Sequence, residues 1–161
     1  MNPQKKAGRY ERIYKQLAEL LTATDNPVSR MATIAAVLHN KMDGFFWTGF
    51  YLIKNGKLLV GPYQGPLACQ ELEKDNGVCW AGINQNKTII VPDVEKFPGH
   101  IACDFRSRSE IVIPLIDQDG KVFGVLDVDS KDTDTFDEFD AKGLERIISL
   151  LTSTIVWKQF D

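Results

Sequence analysis

Cysteine is scarce in this sequence: Cys69, Cys79 and Cys103 are the three among 161 residues. An odd number of thiols without an export signal disfavours a permanent disulfide scaffold. Nine and twenty-three residues separate them, so no C-x-x-C pair or zinc knuckle forms, and a metal site is not expected even with His100 as an extra donor. A basic excess is missing too. Nineteen Lys and Arg scattered among twenty-two Asp and Glu leave a formal charge of −3, which excludes a stripe able to neutralise a phosphate backbone and makes nucleic acid an unfavoured partner. No run approaches the roughly 20 apolar residues of a membrane span. The N-terminus, "MNPQKKAGRYERIYKQ", carries charges where a secretory signal needs an apolar stretch. A cytoplasmic protein is therefore expected. Repeats, linkers and low-complexity tracts are also lacking, so residues 1–161 are expected to form a single domain.

What is present is an ordinary globular balance, 43% hydrophobic and 25% charged. Between Arg9 and Leu21, the residues Tyr10, Ile13, Tyr14, Leu17, Leu20 and Leu21 recur at the three-and-four spacing of an amphipathic helix. A second helix is expected in "TDNPVSRMATIAAVLHNKM", with Asp25 or Asn26 as N-cap, Pro27 in its first turn and Val28, Met31, Ile34, Ala35 and Leu38 as its stripe. The pattern then becomes aromatic and β-branched. "FFWTGFYLI" and "LLVGPY" flank Asn55-Gly56, and "SEIVIPLI" and "KVFGVLDVDS" flank Asp119-Gly120, which predicts two hairpins of one type. Between them the spacing predicts a short strand over Thr88–Val91 and a short helix just after Cys79. Thr135 and Glu138 have the spacing of a capping box, followed by Phe139, Leu144, Ile147, Ile148, Leu151 and Ile155 along a final helix. Helix, helix, hairpin, mixed middle, hairpin, helix predicts an α+β fold, an antiparallel sheet with helices packed on one face and a ligand pocket on the other.

Strand alternation sorts the candidate site residues. In "VLDVDS", Val125, Asp127 and Asp129 share one face while Val122, Leu126 and Val128 take the other, which sets the two carboxylates about 7 Å apart. The solvated face of a half-buried strand is the ordinary reading of such a pair. In the first strand Trp47 and Tyr51 flank Gly49, leaving a gap that either core packing or a ligand could fill. Aromatic rings and acids together suit a small, partly apolar cation, and a zwitterionic amino acid fits that description. Cys103 follows His100 by three residues and precedes Arg106 and Arg108. These cations, if close in space, would lower its pKa from about 8.5 toward neutrality and favour the reactive thiolate. Packing as a small buried hydrophobe accounts for any single cysteine as well. Glu110 heads the next strand, near the expected pocket.

The strand "WTGFYL" with "GPYQGPLAC", "GVC", "VPDVEKFPGHIACDFRSRSEIVIPL" and "GVLDVDS" closely resembles the free methionine-(R)-sulfoxide reductases, which have the GAF fold. The resemblance runs from about Trp47 to Ser130, and it departs at Trp80, which stands where the family has glycine after the middle cysteine. It implies reduction of free methionine (R)-sulfoxide without a tightly bound cofactor. Cys103 would attack the sulfoxide sulfur, and Cys69 would resolve the sulfenic acid, with Cys79 as an additional or alternative relay. Glu110 would hydrogen-bond the sulfoxide oxygen, Asp127 and Asp129 would meet the ammonium group, and Trp47 and Tyr51 the methyl end. Thioredoxin would be the external reductant, fed by NADPH through thioredoxin reductase, and the assembly would be a homodimer. A GAF module that binds a small ligand without catalysis is the alternative, since fold alone does not fix function.

Overall fold

A computed structural model describes residues 1–100 and 103–153. Helix α1, Pro3–Leu20, starts earlier than its apolar period because Asn2 caps it, accepting the Lys5 amide at 2.9 Å. Helix α2, Pro27–Lys41, is capped by Asn26, which accepts from the Ser29 amide at 3.0 Å. Its stripe buries Met31, Ile34, Ala35 and Leu38 but leaves Val28 exposed. Leu20 of α1 is likewise exposed, and Leu21 is the buried member of that pair.

Strands β1 (Trp47–Lys54), β2 (Lys57–Gln64) and β3 (Glu71–Leu72) lead into helix α3, Gly77–Gln85, and then β4 (Ile89–Val91). Cys79 sits inside the first turn of α3, not ahead of it. Strands β5 (Ser109–Ile116) and β6 (Val122–Ser130) complete an antiparallel sheet of order β3-β2-β1-β6-β5-β4. The two hairpins differ in kind. Asn55 and Gly56 both have positive φ (54° and 75°), whereas in the second turn only Gly120 does (79°). There the Asp117 carboxylate accepts the amides of Asp119 and Lys121, each at 2.9 Å, and holds a longer loop. An irregularity between Leu115 and Ile116 shifts the register, so Phe123 joins Leu126 and Val128 in the helix-side core in place of Val122.

Helix α4, Glu138–Thr152, is capped by Asp137 and not by Thr135. Asp137 accepts the amides of Phe139 and Asp140, and Asp140 accepts the Asp137 amide, while the Thr135 hydroxyl donates to Ser130. The capping box is thus shifted by two residues, which turns Phe139 to solvent. Ile155, expected on the same face, lies outside the described residues. Helices α1, α2 and α4 cover one sheet face through a core that includes Ile13, Leu17, Ile34, Leu38, Phe50, Ile111, Leu144 and Ile147. The short α3 lies on the other face against Val112 and Val125. That face therefore has a helical wall that the element order did not announce.

Buried polar contacts join α1 to α4. Lys6 Nζ donates to Asp140 at 2.5 Å, and to Asp137 and the Thr135 carbonyl at 3.1 Å each. Tyr10 donates to the second Asp140 oxygen at 2.6 Å. The Tyr10 ring lies directly on Gly143, where a Cβ would overlap it. Helix propensity favours Gly143→Ala by roughly 1 kcal/mol, but overpacking costs about 1–3 kcal/mol. Gly143→Ala is expected to lower the urea midpoint, and a rise would show that α1 and α4 can separate without loss.

Candidate functional site

Register decides which residues meet on the α3 face. β6 pairs with β5 on one side and β1 on the other, so Asp129 stands opposite both Glu110 and Trp47, and Asp127 opposite Val112 and Gly49. Directly opposed residues share a face. A cleft forms there, and Trp47, Tyr51, Cys79, Cys103, Glu110, Asp127 and Asp129 all line it. Cys69, the remaining expected site residue, is joined to the cleft by a disulfide to Cys103, with Cα atoms 5.4 Å apart. Cys103 is exposed and Cys69 half-buried, whereas Cys79 is free and buried.

The aromatic wall is tighter than the spacing of Trp47, Gly49 and Tyr51 suggests. The Trp47 ring stacks on Tyr51 at 5.6 Å and on Tyr63 at 5.3 Å between centroids. A Cβ on Gly49 would come within 2.7 Å of the Trp47 ring and 2.9 Å of the Tyr63 Cα. Gly49 is small because these rings fold over it, and not because a ligand needs the space. Tyr63, missed in the sequence, is the cross-strand partner of Gly49. The Asn55-Gly56 turn by itself would set Pro62 opposite Gly49; a register shift between Gly49 and Tyr51 brings Tyr63 there instead, and the sequence carried no signal for it. The other missed wall is the start of α3, where Gly77 turns with φ of 82° and Asn76 and Gly77 line the cleft. Trp80 points away from this opening, buried with its Nε1 donating to the Leu72 carbonyl at 3.3 Å.

Burial dominates the electrostatics of the floor. Glu110 is held up to about 8, first by burial and then by the nearby Asp129 charge, while hydrogen bonding with Asp127 works in the opposite direction. Asp127 is pushed well above the usual carboxylate range by burial and by Glu110. Asp129, partly exposed at the cleft, is also raised, by loss of solvation and then by Asp127 and Asp104. Burial also raises the Cys79 thiol, with Asp127 and Glu110 adding to the effect, so it stays neutral. Trp47 Nε1 and Asp127 Oδ1 are buried without a hydrogen-bond partner among the described residues. Such orphans in a cleft are positions a polar ligand can satisfy.

The expected ring of cations about Cys103 is not what the structure shows. Arg106 forks onto Asp104, with bonds of 2.9 and 2.7 Å, and lies 4.9 Å over the Phe46 ring. Its charge is thereby engaged at the surface. The Arg108 Nε is buried and has no hydrogen-bond partner among the described residues. His100 faces Glu110 instead, with Nε2 3.6 Å from Oε2, and burial lowers its pKa toward the neutral ring. Among the described residues, no helix is long and apolar enough to cross a membrane.

Comparison with known proteins follows this geometry. Residues 28–156 match the GAF domain family. Over 147 residues the chain is 48% identical to GAF domain-containing protein A of Dictyostelium discoideum, covering 91% of this chain and 92% of that protein. Over 115 residues it is 44% identical to the free methionine-R-sulfoxide reductase of Saccharomyces cerevisiae, 70% of this chain and 64% of that protein. The solved structure of the free methionine-R-sulfoxide reductase of Neisseria meningitidis, in complex with its substrate, matches with a TM-score of 0.88 at 39% identity, over 92% of this chain and 89% of that one.

The raised Glu110 makes the acid floor measurable. Its protonated form is favoured by folding, so its contribution to stability is full below its ordinary value of 4.5 and is lost as pH rises through about 8. Glu110→Gln, neutral at every pH, is expected to gain on the wild type between about pH 5 and pH 8. One proton over three pH units limits that gain to about 4 kcal/mol. Urea unfolding at the two pH values measures it, and a difference that does not change with pH would mean that Glu110 is ionised throughout.

Proposed function

We propose that this chain, which belongs to the GAF domain family, reduces free L-methionine (R)-sulfoxide to L-methionine through thiol chemistry. The Cys69–Cys103 disulfide at a cleft with an acidic floor and an aromatic wall is the observation that carries this reading. A passive ligand pocket has no use for a pair of thiols within bonding reach of each other. Relatives named free methionine-R-sulfoxide reductase, at 44% and 33% identity, support the same activity.

In the proposed cycle the reduced chain binds the zwitterion with its ammonium toward Asp127 and Asp129 and its methyl end on Trp47 and Tyr51. An incoming ammonium favours the ionised form of both acids and so returns their charge. Glu110, protonated by its burial, donates to the sulfoxide oxygen and makes the sulfur more electrophilic. The Cys103 thiolate attacks that sulfur. The oxygen ends on Cys103 as a sulfenic acid, and methionine leaves reduced by two electrons. Cys69 then attacks the sulfenic sulfur, water departs, and the disulfide forms. An external dithiol returns both thiols by exchange and itself becomes a disulfide. Thioredoxin, supplied by NADPH through its reductase, is the dithiol proposed, with a homodimer as the assembly and the cytoplasm as the location. Cys79 is disfavoured as nucleophile because burial and neighbouring acids oppose its thiolate.

A coupled assay tests the activity. With thioredoxin, thioredoxin reductase and NADPH, the free R epimer is expected to drive NADPH oxidation, with the S epimer and peptide-bound sulfoxide far slower. No turnover above background with the R epimer would defeat the reductase reading and return the chain to ligand binding alone. Single-turnover experiments assign the thiols. Cys103→Ser is expected to release no methionine, whereas Cys69→Ser should release about one equivalent and then stop. A stoichiometric burst from Cys103→Ser would show that the nucleophile is a different cysteine.

A further inference from the structure

The proposed cycle leaves Cys79 without a step, yet its sulfur is not simply packed among apolar groups. One donor atom each of Cys79, Glu110 and Asp127 lies within 4.8 Å of the other two, and all three residues are buried. Glu110 is also 3.6 Å from Nε2 of His100. Asp127 lines the same cleft, and its Oδ1 is buried and without a hydrogen-bond partner among the described residues. A thiol and two carboxylates therefore converge from α3, β5 and β6, and an imidazole from the segment before β5 stands beside one of the carboxylates.

We propose that this cluster binds a thiophilic divalent cation of the zinc class, ligated by Cys79 Sγ, one oxygen each of Glu110 and Asp127, and His100 Nε2. Tetrahedral zinc, with bonds of about 2.0–2.3 Å, holds its donors about 3.4 Å apart. The His100–Glu110 separation already matches this. The other three donors need to close by at most about 1.4 Å, and the His100 side chain must rotate toward Cys79 and Asp127 to complete the set. The mixed donor set selects the metal. A thiolate and an imidazole favour zinc, cobalt or cadmium over magnesium or calcium, which prefer six or more oxygen ligands. Sequence spacing argued only against paired knuckles; the antiparallel sheet assembles donors from positions 79, 100, 110 and 127. Because the cation would occupy Glu110 and Asp127, it and the amino-acid substrate would exclude one another. That competition rests on the reductase reading, and the cation site itself does not.

The oxidised chain provides a clean test, since the Cys69–Cys103 disulfide leaves Cys79 as its one free thiol. Titration with Co²⁺ is expected to give a thiolate-to-cobalt charge-transfer band that saturates at one equivalent and disappears on adding Zn²⁺. Cys79→Ser should lose the band, and His100→Ala should bind Zn²⁺ at least about tenfold more weakly by calorimetry. No band from the oxidised wild-type chain, or equal Zn²⁺ affinity in folded Cys79→Ser, overturns the site. If Cys79→Ser fails to fold, His100→Ala decides, because an unchanged affinity there also overturns it. Free methionine (R)-sulfoxide should raise the apparent Zn²⁺ dissociation constant. A cobalt band that ignores the sulfoxide, in a chain that turns the sulfoxide over, overturns the shared pocket while leaving the cation site standing.

Discussion

The pairing of β6 between β1 and β5 is the constraint on which the rest of the molecule depends. It joins two hairpins that would each be marginal alone into one sheet. One strand then serves two environments at once. Leu126 and Val128 anchor the helix-side core, while Val125, Asp127 and Asp129 face α3. A one-residue slip would turn both carboxylates into the apolar core. The apolar burial on the helix side therefore holds the acids in place, although it touches none of them. Burying carboxylates near one another is unfavourable unless they lose their charge or gain a partner. The raised Glu110, Asp127 and Asp129 show which course the unliganded cleft takes.

The three thiols are differentiated by where the chain holds them. Cys69 and Cys103 lie in segments leading into β3 and β5, within disulfide reach and open to solvent to different degrees. An external dithiol needs that access. Cys79 is fixed in the first turn of α3 and buried against the acids, which suppresses both its thiolate and its exchange. Trp80 beside it completes the packing under α3. Position in the fold, more than spacing in the chain, separates an exchangeable pair from a protected thiol.

Much of this was legible in the sequence because it depends on short-range pattern. The hairpin turn at Asn55-Gly56, the stripe of α2 and the alternation that places Asp127 and Asp129 on one face are all local signals. The acids and rings meet because register carries local alternation across strands. What was not legible is set by contacts between distant segments. The capping box moved to Asp137 because Lys6, 131 residues away, binds that aspartate. Gly49 looked like an opening, but Tyr63 arrives from the neighbouring strand and fills it. Arg106 is the local exception: it looked like an activator of Cys103, but Asp104, two residues away, takes its charge.

The same burial that neutralises the acids gives the cleft its selectivity. An apolar ligand would leave Asp127 Oδ1 and Trp47 Nε1 unpaired, and an anion would oppose ionisation of the acids and gain no ion pair from them. A cation does the opposite, because it restores ionisation of Asp127 and Asp129 and gains a charge-assisted hydrogen bond in a dry site. A free amino acid carries such a cation next to its side chain. A residue inside a polypeptide has an amide there, which cannot favour the ionised acids and so forgoes most of that interaction. In the proposed cycle, discrimination between the free and the peptide-bound sulfoxide would follow from solvation of the floor. The chemistry proposed at sulfur would draw on the same property, since the burial that would make the floor selective for a cation also keeps a proton on Glu110.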